Sequence, residues 1–559
     1  MVLRNLCIGA ALLLSTLLAA CSGESSHSAV VSDAPPSHST GQVGAGNNYK
    51  VSYYAAARFA EQATFGPTPA LIEELRSKGF AQWIDEQFAL PLVLIDPTPV
   101  EDWSNTSNLR WYMPSTWTTA VIAEPDQLRR RMVWSLSQFI VASAAAGIAA
   151  GHVHWVNLLH KHALGNYRGL LREATINPHM GFYLDNAQNR PRSAECTHCA
   201  PNENYARELM QLFSIGVLKL NPDGTPVKDA QGRFVETYSQ RDVEELARVL
   251  TGWTYDPIPT NRPKDNFGNW SKPMVPSTWP PERDSGAKVV LGHKFPAGQG
   301  ASEDLDDAVD LLNTHPNAAP FVSIRLIQNL VKSDPSPAYV KRVADVFRDN
   351  GAGVIGDLKA VARAILLDPE ARRGDNPALL GASDGKFREP FLHHTAFVRG
   401  LGCQRNFTNP DGTGYRFGWG QEPFRPQSVF GFYAPTDRAP GSNLLAPEQK
   451  LITSNILSAR FSSPPFEFRG NGAGQPNSSQ RYLVAGCNIE EFSRAIGTSA
   501  KAFIDLVSLR YFRGAMPPTL RSYLEQLIRE QSGSRRDQDQ LAMLMLGFAL
   551  ASPYYGIIK

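Results

Sequence analysis

The sequence predicts a mainly α fold, a multi-helical globular body with minor β hairpins and long Pro/Trp/Gly-rich loops. Three observations predict it. From Tyr53 onward, apolar residues recur at helical spacing in one segment after another. Proline and glycine punctuate those segments at their ends. The clearest β signal is confined to one short excursion, 218–239, where Asp223-Gly224 and Gly232 lie between β-favouring residues.

The elements follow in order. Residues 53–65 form a helix stopped by Gly66-Pro67. Thr68 caps the next, with Pro69 at its first position and Gly79 as its stop. A third helix, 80–90, ends before Pro91, and the proline- and tryptophan-bearing stretch 91–125 reads as a covering loop. After Arg131 about twenty residues carry no charge, a length near that of a membrane span. Ser135, Ser137, Gln138 and Ser143 argue against lipid exposure, so 126–150 is expected to be one buried central helix.

A histidine-bearing stretch, 151–165, precedes a helix over 166–175 that ends at Asn177-Pro178. Residues 199–217 open with a dense polar group and continue as an amphipathic helix. Ser239 and Asp242 form a capping box for the helix after the hairpin. Residues 255–300 read as a long loop. Further helices are expected at 303–313, 316–332, 336–349, 355–368, 387–401, 444–459, 490–510, 517–531 and 536–551.

The first fifty residues have a different character. Arg4 precedes a short apolar run that ends in small residues at Cys21, the pattern of a secretory signal, and Leu18-Ala19-Ala20-Cys21 resembles a bacterial lipobox. The expected organisation is a lipoprotein signal peptide over 1–20, a lipidated Cys21 with a flexible tether over 21–50, and a helical body over 51–559. An ordinary signal peptide cleaved nearby is the alternative. Residues 22–50 are rich in Ser, Gly and Pro and too poor in large apolar groups to offset ordering entropy. In a Gram-negative host, Ser22 rather than Asp after the lipidated cysteine favours the outer over the inner membrane, as is known of lipoprotein sorting. The membrane, reached through the N-terminal lipid, is thus one expected partner. The 55 basic and 53 acidic residues leave a formal charge of +2 with no long run of either sign, which gives no footprint for nucleic acid.

Of six cysteines, Cys7 leaves with the signal and Cys21 carries lipid, so Cys196, Cys199, Cys403 and Cys487 remain. An even number in an oxidising compartment makes all four disulfide candidates. Cys196-Thr197-His198-Cys199 lacks the His that haem attachment needs after its second Cys, and no second CxxC completes a zinc site.

The stretches RFAEQATFGPT (58–68), NPHMGFYLDN (177–186), PNENYARELMQLFSIGV (201–217), 220–253, HPNAAPFVSIRLIQNLV (315–331) and GQEPFRPQSVFGFYAPTD (420–437) together carry a family resemblance. The chain resembles the bacterial family catalogued as domain of unknown function 1800, over nearly the whole body from about residue 53. The resemblance implies a largely helical exported protein. It also implies a possible partner, an exported protein of the family catalogued as domain of unknown function 1501, which is similar to sulfatases and alkaline phosphatases. Where relatives often carry His-Asp, this chain has Arg283-Asp284, which argues against any metal site built on that His.

Two groups of residues are candidates for chemistry. On a helical wheel Tyr205, Ala206, Leu209, Met210, Leu212, Phe213 and Val217 share one arc, and Glu203, Arg207, Gln211 and Ser214 the other. Glu203 and Arg207 make an i, i+4 pair. Glu208 falls at the edge of the apolar arc with Asn204 a turn back, so its carboxylate must be paired, with Arg248 or Arg172, or shifted in pKa. Glu203, Glu208, Arg207, Asp185 and Asn204 are therefore the acid–base candidates. The second group is histidine: His152, His154, His160 and His162 lie within one stretch, though without an i, i+4 pair. His152, His154 and His179 are the metal-ligand candidates, with Asp185 as a carboxylate. No GxSxG elbow, P-loop or GxGxxG is present, and 221–225 lacks the later Gly and Glu of a calcium loop. The two functional expectations are a non-enzymatic envelope binding or assembly module, and an envelope hydrolase built around residues 201–208.

Overall fold

The computed structural model describes residues 49–101, 109–144, 149–256, 269–403, 420–458, 460, 483–484, 487–531 and 536–559. The predicted signal, Cys21 and the tether lie outside the described residues. In chain order the first half contains α1 (Tyr53–Ala63), α2 (Pro69–Lys78), α3 (Phe80–Ala89), α4 (Thr98–Glu101), α5 (Tyr112–Ala123), α6 (Gln127–Ser137), α7 (Ala149–His162), α8 (Tyr167–Thr175), α9 (Pro178–Tyr183), α10 (Asn204–Gln211) and α11 (Gln240–Val249). Two antiparallel pairs follow, β1 (Trp253–Thr254) with β2 (Val275–Pro276) and β3 (Lys288–Val290) with β4 (His293–Phe295). Next come α12 (Ala301–Thr314), α13 (Ala318–Leu330), α14 (Pro337–Arg348), α15 (Leu358–Leu367), α16 (Pro369–Arg373), β5 (Lys386–Phe387) and α17 (Pro390–Gly400). The chain ends with β6 (Leu483–Val484) paired to β7 (Cys487–Asn488), then α18 (Glu490–Thr498), α19 (Ala500–Phe512), α20 (Pro518–Gln531), α21 (Gln538–Ala551) and β8 (Ile557–Ile558). The architecture is mainly α, as the sequence predicts.

Local signals set many boundaries. Thr68 accepts from the Leu71 amide, Pro69 opens α2 and Gly79 closes it at φ 81°. Ser239 and Asp242 form the expected capping box on α11, and the 218–236 excursion closes through the bridges Leu218 to Glu236, Leu220 to Pro226 and Lys228 to Phe234. Gly66 is fixed by space as well as conformation. At φ 132° an added Cβ would lie 2.4 Å from Ala396 Cα, so the turn after α1 approaches α17 this closely only because the residue is glycine.

Four expectations fail for tertiary reasons. The stretch 91–125 is not merely a covering loop, because it contains α5, whose Trp117 is fully buried; the helix is apolar on most sides and so shows no stripe. The central helix expected over 126–150 stops at Ser137. Ser135, Ser137 and Gln138 side chains donate to the carbonyls of Arg131 and Trp134 (2.7–3.2 Å) and replace the next helical turn. The shortened helix is nevertheless buried along its whole length, and no helix among the described residues is long and apolar enough to cross a membrane. Residues 444–459 begin as a 3₁₀ turn, Pro447–Leu451, rather than an α-helix. The 490–510 segment divides where Ser499 caps α19.

One large core joins α1 to α16, and a second gathers α17 to α21. Buried charges bind the two. Arg388 donates to Glu61 at 2.6 Å and Arg513 pairs with the same carboxylate. Lys386 reaches Glu389 and the Asn329 carbonyl at 3.0 Å each. β8 pairs with β5, Lys386 facing Ile558, and so ties the last residues to this network.

Candidate functional site

The polar cluster is assembled by a turn and two helices. After α9 the chain passes through Asp185 at φ 57° and Gln188 at φ 60°, left-handed positions that reverse it tightly. The turn delivers Asn189, buried, against the entry to α10. The Asn189 side chain accepts from the Asn202 amide at 2.7 Å and donates to the Asn202 and Ala247 carbonyls at 3.4 Å each. Sequence reasoning missed Asn189. Its signal was only that of another Asn in a polar loop, and its partners lie 13 and 58 residues away.

With the entry fixed, the candidate residues fall into place. Asn204 donates to Asp185 Oδ2 at 2.7 Å. Arg207 donates to Glu203 at 2.7 Å, and Gln240 bridges both, donating to Glu203 at 2.8 Å and accepting from Arg207 at 3.1 Å. Tyr205, Ala206, Leu209, Met210 and Phe213 are buried as the wheel predicts. Val217 is exposed, because the helix ends at Gln211 and the wheel no longer applies.

Glu208 differs from the rest. Neither expected partner reaches it: Arg248 binds Glu245 and Asp284, and Arg172 binds Asp306. Its Oε2 is buried without a hydrogen-bond partner among the described residues. Burial pushes its carboxyl above the ordinary value, and the Arg207 charge offsets only part of that. The phenols of Tyr183 and Tyr238 lie within reach of its charge. Burial and then Glu208 raise both, Tyr238 to about 12.

The metal candidates do not converge as a set. His152 and His179 meet in the core, ring centroids 5.7 Å apart, beneath Phe424 and Trp270. Burial holds His152 well below its ordinary pKa and His179 at about 4, so both are neutral at physiological pH. His154, two residues along α7, points to the opposite side, where its Nε2 lies 3.8 Å from Glu101. Asp185 stays with Asn204. His160 packs edge-on against Trp117 and His162 faces Glu173 at 3.1 Å. Among the described residues, three potential ligand atoms come within 4.8 Å of one another only at Cys196, His198 and Cys199. There Cys196 and Cys199 are joined in a disulfide. Cys403 is buried and also disulfide-bonded. The Cys487 side chain lies outside the described residues. Arg283 and Asp284 serve as structural charges: Arg283 binds the Val249 and Thr251 carbonyls at 2.9 and 2.8 Å as well as buried Asp304, and Asp284 holds Arg248.

A cleft of about 220 Å³ lies on the outer side of α7. Asn157 accepts from the Ile95 amide at 2.9 Å and donates to the Ile95 carbonyl at 2.8 Å, which pins residues 91–97 along the helix. Leu92 and Leu94 thereby form one wall, Trp270 and Pro273 the other, and His154, Lys161, Glu173 and Lys272 line the polar parts. Leu92, Val93 and Leu94 are 41%, 51% and 50% exposed, an unbroken apolar strip between Pro91 and Pro97. The strip was readable in the sequence as three apolar residues in a loop. The opposite wall, some 180 positions away, was not.

Fold and sites together define a large helical protein with a locked polar cluster at one helix entry and an open amphipathic cleft beside another. The chain belongs to the family described as "Protein of unknown function (DUF1800)", which it matches over residues 58–557. No curated protein and no solved structure matches it.

Proposed function

We propose that the protein is a binding or assembly module of the bacterial cell envelope, exported, tethered by lipid at Cys21 to the outer membrane, and acting with another exported protein or a surface polymer. The observation that carries this reading is the cleft beside α7. Its apolar walls, Leu92, Leu94 and Trp270, sit next to Lys161, Glu173 and Lys272, a mixture that suits an amphipathic segment of a partner. The polar cluster supports the reading from the other side, since Glu203, Arg207, Asp185 and Asn204 spend their hydrogen bonds on one another and on Gln240. An exported protein of the family catalogued as domain of unknown function 1501 is the first partner to test. Leu94→Asp places a charge on an exposed strip and leaves the core untouched. Co-purification of the partner with the wild-type chain and its loss with Leu94→Asp is the expected result; equal recovery from both would defeat the proposal.

Envelope hydrolase is the second reading, and it rests on Glu208. A half-buried carboxyl with an unpartnered oxygen, whose burial favours the protonated form, can act as a general acid. Hydrolysis of any envelope ester or glycoside that disappears in Glu208→Gln, with the melting temperature unchanged, would favour this reading over the first.

A further inference from the structure

We propose that Cys196 and Cys199 form a thiol–disulfide exchange site, with Cys199 the sulfur attacked, Cys196 the sulfur released and His198 the acid that receives it. The bridge is poorly explained as a staple. It closes a loop of four residues, the size that constrains an unfolded chain least. The ends of the surrounding segment are already clamped by Asn189 to Asn202, independently of the sulfurs. Reduction therefore leaves the entry to α10 in place.

The two sulfurs are unequal in a way that gives the reaction a direction. Cys196 is 4% exposed, whereas Cys199 is half-buried and reachable from solvent. The exposed His198 ring lies against the buried member, Nε2 at 3.5 Å and Nδ1 at 3.9 Å from Cys196 Sγ. Backbone bonds shape the turn around them: the Cys199 amide donates to the Cys196 carbonyl at 3.3 Å and the Cys196 amide to the Ser193 carbonyl at 3.2 Å.

The chemistry balances with a protein dithiol as the partner. One of its thiolates attacks Cys199 Sγ; a mixed disulfide forms, the Cys196–Cys199 bond breaks, and its electron pair leaves on Cys196 Sγ, where the His198 N–H meets the charge. The partner's second thiolate then attacks its own sulfur in the mixed disulfide and releases Cys199. Two electrons and two protons pass to this chain, and the partner ends as a disulfide. Run backward, the same steps oxidise the partner.

The test uses the full chain in detergent micelles, with dithiothreitol as the dithiol and mass mapping of alkylated cysteines. The Cys403 bridge, buried, serves as the internal control. The expected result is reduction of Cys196–Cys199 in native buffer, at least tenfold faster than the Cys403 bridge and with the helical circular dichroism unchanged. His198→Ala should slow it about tenfold, and His198→Gln, which keeps a polar side chain at an exposed position, should slow it comparably. Exposed to oxidised glutathione, Cys196→Ser should carry the adduct on Cys199, and Cys199→Ser should label far more slowly at Cys196. Reduction only after denaturant, rates indifferent to His198, or faster labelling at Cys196 would each overturn the proposal.

Discussion

The polar cluster at α10 and the cleft beside α7 contain similar polar residue types, and they differ in the apolar surface they leave exposed. At α10 each polar group but one finds a partner within the cluster: Asn189 with Asn202, Asp185 with Asn204, Glu203 with Arg207 and Gln240. Beside α7 polar groups are paired too, Asn157 with the Ile95 backbone, Tyr112 with the Asp96 carbonyl, Lys161 with Glu173 and Lys272 with Asp256, but Leu92 and Leu94 stay exposed at the cleft. A crowd of polar residues is therefore weak evidence of a binding surface, because mutual satisfaction builds a joint. Contiguous apolar surface left exposed marks the surface that meets something else.

The contrast would break first at the joint itself. Asn189→Ala leaves the half-buried Asn202 amide and two carbonyls without their partner, and should cost about 1–3 kcal/mol in chemical denaturation; a smaller loss than that of Glu203→Ala would mean the joint lies elsewhere. Asn157→Ala should cost about 1–2 kcal/mol by the same physics, but unlike Asn189→Ala it should also weaken partner binding, since the Leu92–Leu94 wall loses its anchor. If both variants weakened binding equally, the two regions would be one.

Glu208 sharpens the difference through pH. Its folded pKa lies above its unfolded value, so the native state favours the neutral acid. The group's relative contribution is most favourable below the unfolded pKa of about 4.3 and is lost as pH rises through the raised folded value. Glu208→Gln should therefore stabilise the protein slightly at pH 7, by up to about 1 kcal/mol, and the gain should vanish near pH 4. A pH-independent loss of stability would show that the carboxylate has a partner after all. The smallest effect belongs to Glu203→Ala, about 0.3–1 kcal/mol and salt-sensitive, because the Arg207 pair is partly exposed.

The sequence made the joints of the fold legible wherever they are local. Thr68, Pro69 and Gly79 bound α2, and Ser239 and Asp242 cap α11. It failed where distant residues decide. The end of α6 depends on side chains turning back onto their own helix, and α5 hid because burial on most sides erases the helical stripe. The edge position of Glu208 was readable from the wheel; its lack of a partner was not, since Arg248 and Arg172 are taken by Asp284 and Asp306 far along the chain. His152 and His179 met because α7 packs on α9, whereas His154, only two residues away, faces the cleft.

The most direct measurement puts a photo-crosslinking residue at position 94 in one variant and at position 204 in another, each in the full-length chain in intact cells. A discrete higher-mass adduct from position 94, at the cleft, and none from position 204, at the joint, is the expected result. Adducts from 204 with none from 94 would contradict it and return the functional site to the polar cluster.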